Sequence, residues 1–182
     1  MSLRLFAALD VPDDVAAQLA QLQRGVGGAR WSPRENLHLT LRFFGDVAEN
    51  VADDLDAALS EAALRRRAFE IKLKGAGFFG GADPHSLHLR SAPSDALNAL
   101  AADCEKAARR AGLKAETRKF SAHVTLAYLN RASTLERVIA FEKAHALTET
   151  RAWRVENFGL YSSLIRDSAP SLYRLEAEYA LL

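Results

Sequence analysis

Two segments of the chain repeat one arrangement of reactive side chains: His38-Leu39-Thr40-Leu41 and His123-Val124-Thr125-Leu126. Read as strands, each places alternate side chains on one face. Leu37, Leu39, Leu41 and Phe43 then point into a core, and His38, Thr40 and Arg42 point the other way. In the second segment Ala122, Val124 and Leu126 are apolar, with His123 and Thr125 sharing the opposite face. Each strand therefore presents an imidazole and, about 7 Å along the same face, a hydroxyl. One such tetrapeptide arises by chance in about one of forty chains of this composition, and two in only about a few per ten thousand.

Two imidazoles and two hydroxyls suit phosphodiester hydrolysis. That reaction needs a base to take a proton from water and an acid to protonate the departing alkoxide, and imidazole serves both near neutral pH. Threonine hydroxyls can donate to phosphoryl oxygens as charge develops on them. Other chemistries fare worse. No Asp, Glu or Cys follows either histidine at zinc-ligand spacing. His85 and His88, three apart on a predicted strand, face opposite sides and make a poor joint ligand. No Gly-x-Ser-x-Gly elbow or Gly-rich phosphate loop is present. Cys104 is the only cysteine, read as a packed core residue, and His145 is read as a helix-end residue favoured by the dipole.

The elements that must position these groups follow from periodicity and turn signals. Strands are expected at Leu3 to Leu9, Leu37 to Phe44 (stopped by Gly45-Asp46), Phe69 to Phe79, Ser86 to Arg90, Phe120 to Leu129, Trp153 to Leu164 and Leu172 to Leu181. Helices are expected from Pro12 through Val26, from Glu49 to Arg67, from Ser94 to Ala111 and from Leu135 to Ala146. Hairpins and the lack of strict alternation predict an α+β fold with largely antiparallel sheet. The chain of 182 residues is read as a single unit, residues 1–182. Its net charge of +1 draws it to no long nucleic acid, so any RNA contact should be local, at an end or a single nucleotide. The lone cysteine, the absence of a secretory leader pattern and the lack of a run of about 20 apolar residues lead to an expected cytoplasmic location.

These segments resemble the signatures of the two-histidine (2H) phosphoesterase superfamily, and within it the RNA 2′,3′-cyclic phosphodiesterases once called 2′-5′ RNA ligases. Arg4 through Pro12 is similar to that family's opening strand and helix start. Trp31 through Pro33, then Glu35 through Gly45, follow its first signature almost position by position. Phe120 with His123 through Ala127 resembles the second, and Ser162, Leu164 and Tyr173 fit its closing hairpin. The resemblance implies a bilobal α+β fold: two mainly antiparallel sheets related by a pseudo-twofold, each flanked by helices, with a central cleft.

It also implies hydrolysis of RNA or nucleotide 2′,3′-cyclic phosphates to 2′-phosphomonoesters by a monomer, without metal or cofactor and away from membranes. His38 would be the general acid, His123 the general base, and Thr40 and Thr125 would hold the phosphate; the residues alone do not rank the two histidines. The chain departs from the pattern at Ala122, where proline is common, at Tyr128, where arginine is usual, and in its hairpin from Gly75 to Arg90, which lacks an aromatic Trp. Arg42, Arg118 or Lys119 would then supply the missing charge, and Tyr128 would stack on a base or donate its hydroxyl. Two other readings use the same residues: a non-catalytic module that binds nucleotides or RNA ends, and RNA joining through a 2′-5′ linkage.

Overall fold

The computed structural model describes residues 2–182, with four helices and ten strands among them. In chain order these are β1 (Ser2–Asp10), α1 (Asp13–Leu22), β2 (Ala29–Trp31), a 3-10 turn (Arg34–Asn36), β3 (His38–Ala48), α2 (Glu49–Ala63), β4 (Phe69–Ile71), β5 (Leu73–Phe79), β6 (Ser86–Ser91), α3 (Asp95–Arg110), β7 (His123–Leu129), α4 (Leu135–Ala144), β8 (Trp153–Val155), β9 (Asn157–Leu164) and β10 (Leu172–Ala180). The fold is α+β and every strand pairing is antiparallel, as the hairpin signals predict.

The large sheet runs β10-β9-β1-β3-β7-β6-β5, with β2 also on β7; β4 and β8 form a small sheet. Its two halves, β10-β9-β1-β3 and β7-β6-β5, meet at one ladder pair, Leu39 opposite Val124. Beyond that pair β7 is taken by β2, with Ala29 opposite Leu129 and Trp31 opposite Ala127. β2 and β3 thus lie end to end along β7, joined by the 3-10 turn.

Helices end where backbone groups find partners. Ser94 caps α3 by accepting from the Leu97 N–H (3.2 Å). At its far end Gly112 adopts φ +85°, and the Leu113 N–H returns to the Ala108 carbonyl (2.9 Å). α1 stops at Leu22, short of the predicted Val26, which stays buried from the following loop. α2 stops at Ala63, because Arg66 and Ala68 bond to Leu182.

Two predicted strands divide. Phe69 to Phe79 breaks at Lys72, whose carbonyl accepts from Ala92, so that β4 pairs β8 while β5 joins the large sheet. Trp153 to Leu164 breaks at Glu156, whose carbonyl accepts from Leu181. β3 does not stop at Gly45-Asp46. It continues through a bulge at Phe44, with Phe6 opposite Phe43, Leu5 opposite Gly45, and Gly45 at φ +77°. An earlier extra residue, Leu41, between the pairs Ala8–Thr40 and Ala7–Arg42, shifts the alternation and turns Phe43, predicted to face inward, out to solvent, 37% exposed.

The core is continuous across both halves. Leu5, Leu9, Leu39, Leu55, Leu59, Leu87, Leu89, Leu97, Leu100 and Phe158 are among its fully buried members. Cys104 is buried there, and burial pushes its thiol pKa well above the usual range. No helix among the described residues is long and apolar enough to cross a membrane. Because Leu39 fills the core at the single seam pair, Leu39→Ala should destabilise the fold by about 2–5 kcal/mol. Urea unfolding would register this as a lower midpoint with unchanged slope; a loss below about 1 kcal/mol would mean the seam is not a core contact.

Candidate active site

β3 and β7 both begin at their histidine, and each ring is locked by the residue two positions earlier. The Asn36 carbonyl, at the end of the 3-10 turn, lies 2.7 Å from His38 Nδ1, and the Ser121 carbonyl lies 2.6 Å from His123 Nδ1. A carbonyl only accepts, so each Nδ1 carries a hydrogen and each Nε2 is left for chemistry. These bonds also explain why β7 starts at His123 and not at the predicted Phe120. The Ser121 carbonyl serves the imidazole instead of a ladder.

The register of the seam arranges the four groups. With Leu39 opposite Val124 in an antiparallel pair, His38 falls across from Thr125 and Thr40 across from His123. Directly opposed residues have Cβ atoms about 4.5–5.5 Å apart. The cavities match this cross-pairing. His38 and Thr125 line a recess of about 130 Å³ with Arg30, Trp31, Asn36, Tyr128, Ser171 and Tyr173. Thr40 and His123 line a groove of about 850 Å³ with Arg42, Phe43, Phe79, Arg118, Lys119 and Phe120. All four site side chains are half-buried, and His38 Nε2 is 3.0 Å from Thr40 Oγ1.

Residues 11–164 match the 2′-5′ RNA ligase superfamily. The chain belongs to that superfamily. Its curated relatives include RNA 2′,3′-cyclic phosphodiesterases from Aeropyrum pernix, 29% identical over 79% of this chain and 83% of the relative, and from Thermotoga maritima, 28% identical over 99% and 98%. Among solved structures it superimposes on TT0787 of Thermus thermophilus with a TM-score of 0.82 at 23% identity, covering 98% of each chain. It superimposes on E. coli LigT complexed with 3′-AMP with a TM-score of 0.80 at 24% identity, covering 100% of this chain and 99% of that one. Both likenesses establish a shared fold.

Within this candidate site the two histidines have different surroundings. His38 packs against Phe6 (ring centroids 4.9 Å) and edge-on against Tyr173 (5.2 Å). Asp10 stands opposite it on β1 and accepts a 2.5 Å hydrogen bond from the Tyr161 hydroxyl. Burial lowers the His38 pKa below 6.5; the bond to Asn36 and the charge of Asp10 oppose that shift, and His123 adds to it. His123 packs against Phe79 and His88, both at 4.9 Å. Burial lowers its pKa too, opposed by its bond to Ser121. His88 is 3% exposed, its Nδ1 has no hydrogen-bond partner, and burial, with His123 and Arg90, pushes its pKa down to about 3.

The other sequence candidates lie around the four. Arg42 and Thr40 do not stand side by side as strict alternation predicts. An extra residue at Leu41 separates the pairs Ala8–Thr40 and Ala7–Arg42, and the Arg42 guanidinium turns to Glu105 of α3 and the Lys114 carbonyl. Arg118 is held by Glu116 at 2.9 Å, and Tyr128 edges the smaller recess. His85 is exposed in the turn before β6 and stacks on Phe79. Among the described residues no group of three or more His, Cys, Asp or Glu side chains is gathered where it could hold a metal ion. Sequence reasoning missed Asp10, Tyr161, Phe79, His88 and Arg30. Each reaches the site from another strand, and no local spacing announces such an approach.

Nitrogen-detected NMR should find His38 and His123 in the Nδ1–H tautomer when neutral, with His88 taking up no proton between about pH 8 and pH 5. An Nε2–H tautomer at either site histidine would contradict the carbonyl locks.

Proposed function

We propose that this chain hydrolyses 2′,3′-cyclic phosphates of RNA ends or nucleotides to 2′-phosphomonoesters by acid/base catalysis on His38 and His123 without a metal, the whole chain acting as one bilobal domain. The observation that carries this reading is the seam register, in which Leu39 opposite Val124 brings His38 across from Thr125 and Thr40 across from His123. The names of the curated relatives and the 3′-AMP held by a protein of the same fold support a nucleotide phosphate as the occupant.

In the proposed step His123 Nε2 takes a proton from water as the water oxygen bonds to phosphorus. The bond from phosphorus to O3′ breaks, and O3′ takes the proton from His38 Nε2. His38 leaves the step neutral, His123 leaves it protonated, and exchange with solvent resets both. Asp10 supports this division, because its charge favours the cationic form of His38, whereas no carboxylate raises the pKa of His123. Thr40 and Thr125 donate to the non-bridging oxygens, where charge grows in the transition state. Arg42, Arg118, Lys119 and Tyr128 are proposed contacts for the remainder of the nucleotide.

Incubation with 2′,3′-cyclic AMP in EDTA should yield 2′-AMP. His38→Ala and His123→Ala should each lower kcat by about 10²–10⁴-fold with the fold intact by circular dichroism. The profile of kcat/KM against pH should be bell-shaped, needing neutral His123 and protonated His38. Since burial lowers the His38 pKa below 6.5, its alkaline limb should already fall near neutrality. Binding of the nucleotide without turnover would mark a binding module instead, and most activity surviving in either variant would refute the acid/base pair.

A further inference from the structure

A cyclic phosphodiester carries a negative charge that grows on its non-bridging oxygens in the transition state, where the two hydroxyls supply only dipoles, and in a half-buried site a cation beside those oxygens acts more strongly than in water. The arginines near the site are mostly committed. Arg42 is clasped by Glu105, Arg118 by Glu116 and Arg90 by Glu142, while Arg34 donates to the Asp13 carbonyl. Arg30 differs. It is exposed, lines the recess with His38 and Thr125, and its guanidinium has neither an ion pair nor a hydrogen bond among the described residues. Its Cζ lies 5.6 Å from the centre of the Tyr128 ring, within cation–π range.

Two features of the sheet put it there. β2 pairs with β7 so that Arg30 is directly opposite Tyr128. β7 itself bulges at Leu126, with His88 opposite Thr125 and Leu87 opposite Ala127. That extra residue shifts the alternation by one, so Tyr128 rejoins the side of Thr125. Position 128, where the resemblance implies arginine and the chain has tyrosine, thus has an arginine facing it from the next strand.

We infer that Arg30, carried on the ring of Tyr128, binds the non-bridging oxygens of the reacting phosphate from the His38–Thr125 side. The guanidinium fork suits two oxygens of one phosphate. Lys119, the other cation without an ion pair among those lining the two cavities, lies in the loop before β7 on the opposite side. The inference rests on the proposed hydrolysis for the identity of the substrate, but not for the binding of phosphate.

The test uses 2′,3′-cyclic AMP, whose only phosphate is the reacting one. Arg30→Ala should lower kcat/KM by about 10–100-fold, and Arg109→Ala, at an exposed cation that lines neither cavity, should change it by less than about threefold. Adding Tyr128→Arg to Arg30→Ala should recover most of the loss, since the two positions face each other; a merely structural role for Arg30 would not be rescued. Inorganic phosphate, titrated against the fluorescence of Trp31 in the recess wall, should bind the Arg30→Ala protein correspondingly more weakly. Unchanged phosphate affinity in Arg30→Ala, a double variant no better than the single one, or loss confined to oligonucleotide substrates would overturn the assignment. If the unaltered protein turns over no cyclic nucleotide, the hydrolysis reading fails by itself, and the phosphate titration still decides for or against Arg30.

Discussion

The antiparallel contact of Leu39 with Val124 is the constraint on which the rest of the molecule depends. It is one ladder pair, yet it joins the two halves of the large sheet and sets which side chains confront each other over the cleft. Both residues are fully buried, so a slip of either strand by one position would drive that strand's histidine and threonine into the core and its apolar neighbours into water. The hydrophobic pattern of two strands therefore fixes the polar geometry on their other face. The seam stays short because β2 claims the rest of the β7 edge, and that same competition delivers Arg30 and Trp31 to the recess.

How much of this was legible in the sequence depends on whether a feature is local. The period-two pattern of His38-Leu39-Thr40-Leu41 needs only its own strand, and both leucines are buried beneath a half-buried histidine and threonine. The helices likewise carry their own apolar faces, and α3 and α4 their own side-chain caps, Ser94 and Thr134, so their interiors fall where periodicity places them. The bulges at Leu41, Phe44 and Leu126 are of another kind. A two-for-one pairing is a property of two strands together, so alternation read along one chain misplaced Phe43 and Arg42 and gave no reason for Tyr128 to share a side with Thr125. The breaks at Lys72 and Glu156 have the same origin, since each depends on a carbonyl taken by a distant segment.

The site was legible to the same extent. Its four central side chains lie in two short motifs, but the groups that set their electrostatics come from elsewhere: Asp10 from β1, Tyr161 from β9, and His88 and Phe79 from the β5–β6 hairpin. His88 shows why spacing alone misleads. Paired with His85 it makes a poor metal ligand set, whereas in the sheet it stands opposite Thr125 with its ring against His123. Gly77, across from it on β5, leaves it room; a Cβ there would come within 2.7 Å of His88 Nε2 and 2.5 Å of an Arg90 nitrogen.

The two motifs are alike in sequence and in how they hold their rings, so any division of labour between them must arise from their unlike surroundings. On one side His38 has the charge of Asp10, itself hydrogen-bonded by Tyr161, to offset the cost of becoming a buried cation. On the other, His123 lies between the Phe79 ring and a histidine that burial keeps neutral, with no carboxylate charge to offset the cost of burying an imidazolium. Under the proposed reaction the first environment suits a residue that must hold a proton and the second a residue that must accept one. In that proposed reaction the repeated tetrapeptide supplies the reactive atoms, and the strands beside it decide what each copy does with them.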